Sequence, residues 1–391
     1  MDQRTAPQWP GPFRGMKKVP GVEAREVAIK CVQRIEESES YANIIVPKIL
    51  EETSLENIDR NLVTEIVYGS TRMKRALDWA FDRYLAEPPP PALRASLRVG
   101  TYQLLFMRVP DHAAVNATVS ASSKRNKGVV NAVLRKISRE SSLEWPDTAT
   151  RMSYPNWILD QLSEDVGALQ AISMLEKMNQ PPEVSIREDG YRQDKASQWI
   201  VDFVGAGKKD RILDLCAAPG GKATALARFS SYVVAAEVNP SRQKLITENL
   251  ANLGLENVGQ VIADGKLPPF SLGSFDKVLV DAPCSGLGVL HRRPDARWRI
   301  LRSDVKNLSA LQKELLSAAL KLVKSGGELI YSVCTVTHAE TIDVALELER
   351  MHPQLEPIKL QSPKWRAHGN GLQVLPQDAG TDGMTVFKWK V

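Results

Sequence analysis

The chain of 391 residues lacks several features that would assign it to a common class at once. No apolar run approaches the roughly 20 residues that a membrane span requires. The first twenty residues mix proline, glycine and charge, without the apolar core of a secretory signal. The four cysteines include no Cys-x-x-Cys pair, which argues against a zinc or other metal site. We therefore expect a cytoplasmic protein whose thiols are reduced.

Two familiar phosphate-binding motifs are also missing from the glycine-rich segment DLCAAPGGK, residues 214–222. A Walker A loop would need glycine at Cys216 and serine or threonine at Ala223, and the pattern GxGxxG does not occur there. The small residues of this turn would still let a ligand approach the backbone after a strand. The turn therefore predicts a nucleoside-type pocket that does not cradle a pyrophosphate.

The chain nevertheless has the composition of a folded protein, with 43% hydrophobic and 25% charged residues. Residues 1–20 are predicted to be a flexible tail, 21–140 an all-helical domain, and 141–205 a helical connector. Residues 206–391 alternate apolar strands with helices, which indicates a doubly wound, mostly parallel sheet, here of seven strands. Two of the predicted elements are a helix from Ser303 to Lys324, stopped by Gly326 and Gly327, and a following strand, ELIYSVC.

Acidic residues end the predicted strands of this last region. Glu237 follows Asp214 at the distance where an acid can bond both hydroxyls of a ribose. Asp264 ends the third strand, where a carboxylate can reach an adenine amino group. A single acid at a strand end is often merely solvated, but several in register favour a ligand pocket at the carboxyl edge of the sheet.

Two cysteines follow neighbouring strands at the same predicted edge. Cys284 lies in DAPCSG, residues 281–286, and Cys334 lies in YSVCT, residues 331–335. A free cysteine is usually a core residue, as Cys31 is predicted to be on the apolar stripe of the first helix. Pro283 and the small residues after Cys284 instead indicate a loop at the mouth of a cleft, so the two thiols are candidates for chemistry.

Two basic segments are candidates for contact with nucleic acid. The residues Lys124, Arg125, Lys127, Arg135, Lys136 and Arg139 form a cluster with no acidic residue between them. On charge alone, a solvated helix face and a surface for RNA phosphates are equally good explanations. The loop HRRPDARW, residues 291–298, supplies Arg292, Arg293 and Arg297 beside the predicted cleft, and we expect these to meet RNA phosphates.

In order and spacing, these segments resemble the Fmu/Sun (RsmB) family of bacterial 16S rRNA (cytosine-5)-methyltransferases. The resemblance is carried by DLCAAPGGK, NPSRQ (239–243), DAPCSG with RRPD, YSVC, and GTDGM (380–384). QDKASQ (193–198) matches a further family segment. The helical part resembles the family's NusB-like RNA-binding domain through VNATVSASSK (115–124) and GVVNAVLRKI (128–137). The resemblance implies a Rossmann-like methyltransferase domain, preceded by an all-α NusB-like domain.

The resemblance also implies a cofactor and roles for the site residues. It implies that S-adenosylmethionine is bound by Cys216, Ala217, Ala218, Pro219, Gly220, Gly221, Lys222, Glu237, Asp264 and Asp281. Cys334 corresponds to the nucleophile that adds to C6 of cytosine, and Cys284 corresponds to the cysteine that helps release the product. Asp281 is predicted to act at N3 of the base. Lys222 is predicted to make the surroundings of Cys334 electropositive.

The predicted RNA contacts from the two basic segments are Lys124, Arg125, Lys127, Arg135, Arg292 and Arg293, and a monomer is the default expectation for the oligomeric state. Val333, Ala339 and Thr341 depart from the family pattern around the nucleophile. Only five residues, 188–192, stand where close relatives carry a sizeable insert that faces RNA. The alternatives that stay open are a tRNA cytosine as target, and a NusB-like RNA-binding protein with a vestigial methyltransferase part. DNA cytosine methyltransferases are disfavoured, since they have no second cysteine at the position of Cys334.

Overall fold

A computed structural model describes residues 21–38, 41–140 and 142–391. The predicted flexible tail, residues 1–20, lies outside the described residues. The chain divides into two compact units, of which the first ends at Glu144 and the second runs from Trp145 to Val391. No helix in the described part of the chain is long and apolar enough to cross a membrane.

Helices make up the described part of the first unit, as its apolar spacing predicts. They are α1 (Val22–Glu37), α2 (Ala42–Glu51), α3 (Asn57–Arg72), α4 (Lys74–Asp82), α5 (Pro91–Phe106), α6 (Asp111–Ala121) and α7 (Lys127–Ile137). Cys31 on α1 is fully buried in the core that α1 shares with α2, α3 and α5. Its burial raises the pKa of the thiol to about 12, so Cys31 is an inert core residue, as predicted.

The second unit begins with helices that belong to its own core. They are α8 (Thr148–Met152), α9 (Asn156–Val166), α10 (Ala168–Lys177) and, after an extended stretch, α11 (Lys195–Val204). Apolar residues of α9 and α10 share a core cluster with Leu287 and Leu290, which follow Cys284, and with Val336, which follows Cys334. These helices therefore support the loops that carry the two candidate thiols.

The rest of the second unit alternates strands and helices around one sheet. The elements are β1 (Arg211–Asp214), α12 (Gly221–Ala227), β2 (Tyr232–Glu237), α13 (Pro240–Leu253), β3 (Val258–Ile262), β4 (Phe275–Asp281), α14 (Arg302–Leu320), β5 (Val323–Val333), α15 (Ile342–Met351), β6 (Glu356–Pro357), β7 (Arg366–His368), β8 (Gly371–Val374), α16 (Pro376–Ala379) and β9 (Met384–Lys390). The strand order is β3-β2-β1-β4-β5-β9-β8-β7, with β6 paired to β9.

Helices cover both faces of this sheet, because successive strand residues point to opposite sides. Ile212 of β1 and Val233 of β2 pack with α11, α12 and α13, whereas Leu213 and Val234 pack with α14 and α15. The doubly wound, Rossmann-like prediction is thus confirmed. Strands are added in opposite directions on the two sides of β1 and β4, so the carboxyl ends of these two strands are the expected ligand site.

The prediction of seven strands is wrong in number, since the described residues form a sheet of nine. The strands β1 to β5 pair in parallel, but all pairings beyond β5 are antiparallel. The missed strands β7 and β8 form a short hairpin around Gly369, which has a φ of +57°. Three- and four-residue strands carry too few residues to show alternation, so only their pairing in the folded chain defines them.

The helix predicted from Ser303 to Lys324 also ends earlier, at Leu320. Val323 pairs with Phe275, so residues 323–333 form one long strand. Gly326 (φ +76°) and Gly327 lie at the irregularity where the β4–β5 register shifts, instead of stopping a helix. A β-bulge needs the same conformational freedom as a helix stop, so the sequence signal is ambiguous.

Candidate active site

The glycine-rich turn follows β1, at the point where the strand order reverses. The backbone N–H of Gly220 donates to the carbonyl of Ala217 over 2.7 Å, and Ala217 itself donates to Ala236 of β2. Gly220 has a φ of +103°, a conformation that L side chains rarely adopt. The turn is therefore held close to the sheet and presents backbone rather than bulky side chains.

Carboxylates line the same edge, at the ends of the strands beside the turn. Glu237 ends β2 and is only 3% exposed, with Oε1 accepting the N–H of Asn239 over 3.0 Å. Asp264, after β3, is exposed, and its Oδ1 accepts the N–H of Lys266. A carboxylate can accept about four hydrogen bonds, so both groups retain acceptor capacity for the hydroxyl and amino groups of a nucleoside.

Asp281 ends β4 and is held by two donors. The ammonium of Lys222 lies 2.6 Å from Oδ2, and the hydroxyl of Ser332 donates to Oδ1 over 2.6 Å. Burial opposes the charged form of Lys222, but the neighbouring Asp281 overcomes this and raises the pKa of the lysine above its ordinary value. Lys222 and Asp281, predicted separately for the surroundings of Cys334 and for N3 of the base, thus form one ion pair.

The two candidate thiols meet at this edge. Sγ of Cys284 lies 3.2 Å from Sγ of Cys334, because β4 and β5 pair with Asp281 opposite Ser332 and so end side by side. The contact with Cys334 and then burial raise the pKa of Cys284 well above its ordinary value. Cys284 is therefore held as a thiol that can donate to the other sulfur.

Backbone contacts between three loops hold this arrangement. The N–H of Gly288, in the Cys284 loop, donates to the carbonyl of Cys334 over 3.1 Å, and the N–H of Gly383 donates to the carbonyl of Gly288 over 2.9 Å. A Cβ on Gly288 would lie 2.1 Å from the carbonyl oxygen of Gly383. The segment GTDGM is therefore part of the site through close backbone approach.

Replacing Gly288 by alanine is expected to lower the free energy of unfolding of the second unit by about 2–4 kcal/mol, because the clash is with backbone that cannot move aside. Thermal unfolding followed by calorimetry measures this. Gly128→Ala is the matched control, since nothing lies within 4 Å of a Cβ there, and it should cost nothing. Equal melting of the two variants would contradict the packing argument.

The predicted RNA contacts of the first unit share one exposed surface. Lys124, Arg125 and Lys127 precede or begin α7, and Arg135 lies along it; all four are exposed. The buried stripe of α7 consists of Val130, Val133, Leu134 and Ile137. The basic residues thus occupy the face that the core leaves free, and their contact with RNA stays a prediction.

The arginines after Cys284 differ from one another. Arg293 is exposed. Arg292 forms ion pairs with Asp382, at 2.5 Å, and with Asp194, at 2.7 Å, so it ties the GTDGM turn to the start of α11. Arg297 is fully buried, with its guanidinium 3.8 Å above the ring of Tyr154. The expectation that Arg297 meets RNA is therefore wrong, because a buried guanidinium cannot reach phosphates.

Sequence analysis missed a support beneath the glycine-rich turn. The shortened segment, residues 188–192, is a tight turn closed by a bridge between Ile186 and Arg192. Arg187 donates to the carbonyl of Gly221 over 2.6 Å, and Asn249 donates to the carbonyl of Pro219 over 2.8 Å and to the hydroxyl of Tyr191 over 3.3 Å. No motif marks such long-range contacts, so the sequence carried no signal for them.

The carboxylates at this edge of the sheet fit the predicted cofactor S-adenosylmethionine, a cationic nucleoside. Asp214 is buried at the end of β1, and neither carboxylate oxygen has a hydrogen-bond partner of good geometry among the described residues. Burial, and then the nearby Asp281, raises the pKa of Asp214 to about 7. A site lined by Asp214, Glu237, Asp264 and Asp281 around a turn of small residues suits a ligand with ribose hydroxyls, an amino group and positive charge.

Comparison with known families agrees with this geometry. Residues 204–390 match the family model described as 16S rRNA methyltransferase RsmB/F, and residues 22–139 match the NusB family. A relative described as putative methyltransferase MT1451, from Mycobacterium tuberculosis, is 32% identical over 447 aligned positions, covering 95% of this chain and 97% of the relative. The probable ribosomal RNA small subunit methyltransferase B of Bacillus subtilis is 28% identical, and the alignment covers 95% of this chain and 98% of that relative.

Solved structures share the fold. The crystal structure of PH0851 superposes with a TM-score of 0.79 at 20% identity, covering 96% of this chain and 99% of that one. A methyltransferase homolog protein from Pyrococcus horikoshii gives a TM-score of 0.52 at 21% identity, and the superposition covers 62% of this chain and 97% of that one. At these identities the likeness concerns the fold alone.

Proposed function

The chain belongs to the RsmB/F methyltransferase family and has an N-terminal NusB-family domain. We propose that it methylates C5 of a cytosine in 16S rRNA. Methyl transfer to RNA from S-adenosylmethionine is the activity of the family. The choice of C5 rests on one observation, which is the 3.2 Å separation of the Cys284 and Cys334 sulfurs beside Asp281. Methyl transfer to an exocyclic nitrogen or a ribose oxygen needs no thiol.

The first thiol has the task of activating the base. S-adenosylmethionine, when bound, supplies a methyl group on a sulfonium, and C5 of cytosine is a poor nucleophile toward it. In the proposed reaction the thiolate of Cys334 adds to C6, which gives C5 the character of an enamine carbon. The role of nucleophile goes to Cys334 by its position in the family motif, and its sulfur lies 3.2 Å from that of Cys284.

The ion pair of Lys222 and Asp281 would neutralise the negative charge that develops at N3 of the cytosine. Addition at C6 makes N3 basic, and a proton from the Lys222 ammonium can pass through the Asp281 carboxylate to N3. Lys222 lies 2.6 Å from Asp281, and Ser332 fixes the other carboxylate oxygen. Without this pair the adduct would carry uncompensated negative charge in a half-buried site.

The second thiol has the task of ending the reaction. After the methyl group is on C5, the proton on that carbon must leave before Cys334 can depart. The pKa of Cys284 is raised chiefly by its contact with Cys334. Once the sulfur of Cys334 is bonded to C6, this cause is removed. Cys284 then gives its own proton to water in the cleft, and the resulting thiolate takes the proton from C5.

Access to C6 requires that the base leave its stack. The substrate is therefore a loop or another unpaired region of the RNA. The exposed residues Lys124, Arg125, Lys127, Arg135 and Arg293 would bind phosphates. Arg292 would act by holding the Cys284 loop against Asp194 and Asp382 rather than by binding RNA. The monomeric state and cytoplasmic location stay predictions.

Glu237→Ala is expected to weaken binding of S-adenosylmethionine by about 10- to 100-fold, the loss of one or two hydrogen bonds to a buried carboxylate. Titration calorimetry on the RNA-free protein measures this. Glu248→Ala is the control, because Glu248 is an exposed residue of α13 on the same strand–helix unit. Unchanged affinity in the Glu237 variant would show that the cofactor does not lie on β2.

The substrate is tested by offering tritiated S-adenosylmethionine with unmethylated 16S rRNA and with bulk tRNA in parallel. We expect label in 16S rRNA, and bisulfite sequencing should place it at a single cytosine. Label in tRNA alone would show that the substrate of this reaction is tRNA and not 16S rRNA. Failure to bind S-adenosylmethionine at all would leave an RNA-binding protein with a vestigial domain.

A further inference from the structure

A buried carboxylate lies beneath the two cysteine loops, and the chemistry described so far does not use it. Glu340 ends the short 3-10 turn His338–Glu340 that follows the Cys334 loop, and it is 0% exposed. A buried charge requires donors around it, or it would cost several kcal/mol. Its neighbours are therefore informative about what it does.

The hydrogen bonds of the Glu340 side chain reach both cysteine loops. Oε1 accepts the backbone N–H of Ser285, the residue after Cys284, over 2.7 Å. Oε2 accepts the hydroxyls of Ser285, over 2.5 Å, and of Thr337, over 2.9 Å. Thr335, the residue after Cys334, lies 3.0 Å from the Ser285 hydroxyl and 3.3 Å from Oε2. One carboxylate thus binds the residues that follow both thiols.

The other side of Cys284 is held by the same network. Gln312 of α14 is fully buried, and its amide donates to the carbonyl of Pro283 over 2.9 Å and to Glu340 over 3.2 Å. The hydroxyl of Tyr331 donates to the Glu340 backbone carbonyl over 2.6 Å and lies 3.0 Å from the Gln312 side-chain oxygen. The backbone groups on either side of Cys284 are therefore both fixed, so its sulfur has little freedom.

We propose that Glu340 is a positioning residue, which holds the Cys284 sulfur against Cys334 so that Cys284 can act in product release. This inference rests on the proposed function for the role of Cys284, but the placement itself rests on the contacts alone. A carboxylate suits this site, because it can accept from the two N–H groups and from the hydroxyls at the same time. In Glu340→Gln the amide would turn one of its N–H groups toward the hydroxyls of Ser285 and Thr337.

The placement can be tested without RNA. Phenylarsine oxide condenses with two nearby thiols to give a dithioarsinite and one water, with arsenic remaining trivalent. The wild-type protein should bind one equivalent, and Cys284→Ala should not. Glu340→Gln should bind it at least ten-fold more weakly. Glu349→Gln is the matched control, a carboxylate of α15 that accepts from Trp389 and Asn370 away from the thiols, and it should bind as the wild type does.

The role is tested by the fate of the RNA. With 16S rRNA and S-adenosylmethionine, Glu340→Gln should lose at least ten-fold in turnover and should accumulate a denaturant-stable protein–RNA adduct, as Cys284→Ala should. A merely structural residue would lower turnover without trapping an adduct. Gln312→Met, which removes the donor to Pro283, should shift both measurements in the same direction. Circular dichroism at the assay temperature confirms that each variant is folded.

The outcomes separate the two claims. Wild-type arsenical binding in Glu340→Gln, or lost turnover without adduct in a folded Glu340→Gln protein, would overturn the positioning role. If Cys284→Ala itself traps no adduct while Glu340→Gln still loses the arsenical, the placement stands and the proposed function falls.

Discussion

Cys334→Ala is expected to lower methyl transfer by at least about 10⁴-fold, the loss seen when a covalent nucleophile is removed. In the proposed reaction Cys334 alone adds to C6, because Cys284, whose sulfur lies 3.2 Å away, serves as the base of the later step. Binding of S-adenosylmethionine should stay within two-fold of wild type, because the cofactor turn and its acids are untouched. Tritium transfer and calorimetry on the same preparation separate these effects.

Cys31→Ala is the control for the loss of a thiol as such. Cys31 is buried in the other unit, and its removal should cost some stability without affecting the rate of transfer. Methyl transfer by Cys334→Ala within ten-fold of wild type would contradict the covalent mechanism. It would then be necessary to seek the acceptor atom outside the pyrimidine ring.

Cys284→Ala is expected to stop turnover after about one equivalent of RNA and to trap it on the protein. The reason is that Cys334 can still add to C6 and the methyl group can still be transferred, but the C5 proton has no base. Loss of a general base slows a step by about 10²- to 10⁴-fold, so the bound species should survive denaturing electrophoresis. Peptide mass spectrometry should find the RNA fragment on Cys334.

The double variant Cys284→Ala/Cys334→Ala is the control, and it should trap nothing, since the adduct needs Cys334. Two further results would contradict the assignment. One is an adduct in Cys334→Ala equal to that in Cys284→Ala, which would exchange the roles of the thiols. The other is full multiple turnover by Cys284→Ala, which would leave the proximity of the two sulfurs without a function.

Much of the fold could be predicted, because the features involved are local and periodic. The apolar runs of β1, β2 and β4 are buried on both faces, and their two-sided hydrophobicity is readable from the residues themselves. The short hairpin of β7 and β8 and the early start of β5 could not be predicted. The hairpin depends on the pairing of β8 with β9, and the early start of β5 depends on its pairing with β4, which is distant in sequence.

The candidate site likewise contains residues that could be predicted from the sequence and residues that could not. Cys284, Cys334 and Asp281 could be selected because each follows a strand and stands in a recognisable motif. The basic loop was harder to interpret, because Arg292, Arg293 and Arg297 look alike in sequence. They differ only in their surroundings: Arg293 is exposed, whereas Arg292 lies between two carboxylates and Arg297 is buried over Tyr154.

The amino-acid sequence alone determined which residue types stand at the strand ends, and so the helical region, the strand–helix region, and the candidate acids and thiols. Only the tertiary structure decided which of these groups touch. The 3.2 Å contact of the sulfurs, the ion pair of Lys222 with Asp281, and the hydrogen bond from Ser285 to the Glu340 carboxylate all join residues far apart in the chain. Periodicity records which face a residue occupies, whereas contacts across a sheet edge depend on register and on loops whose paths are set by packing.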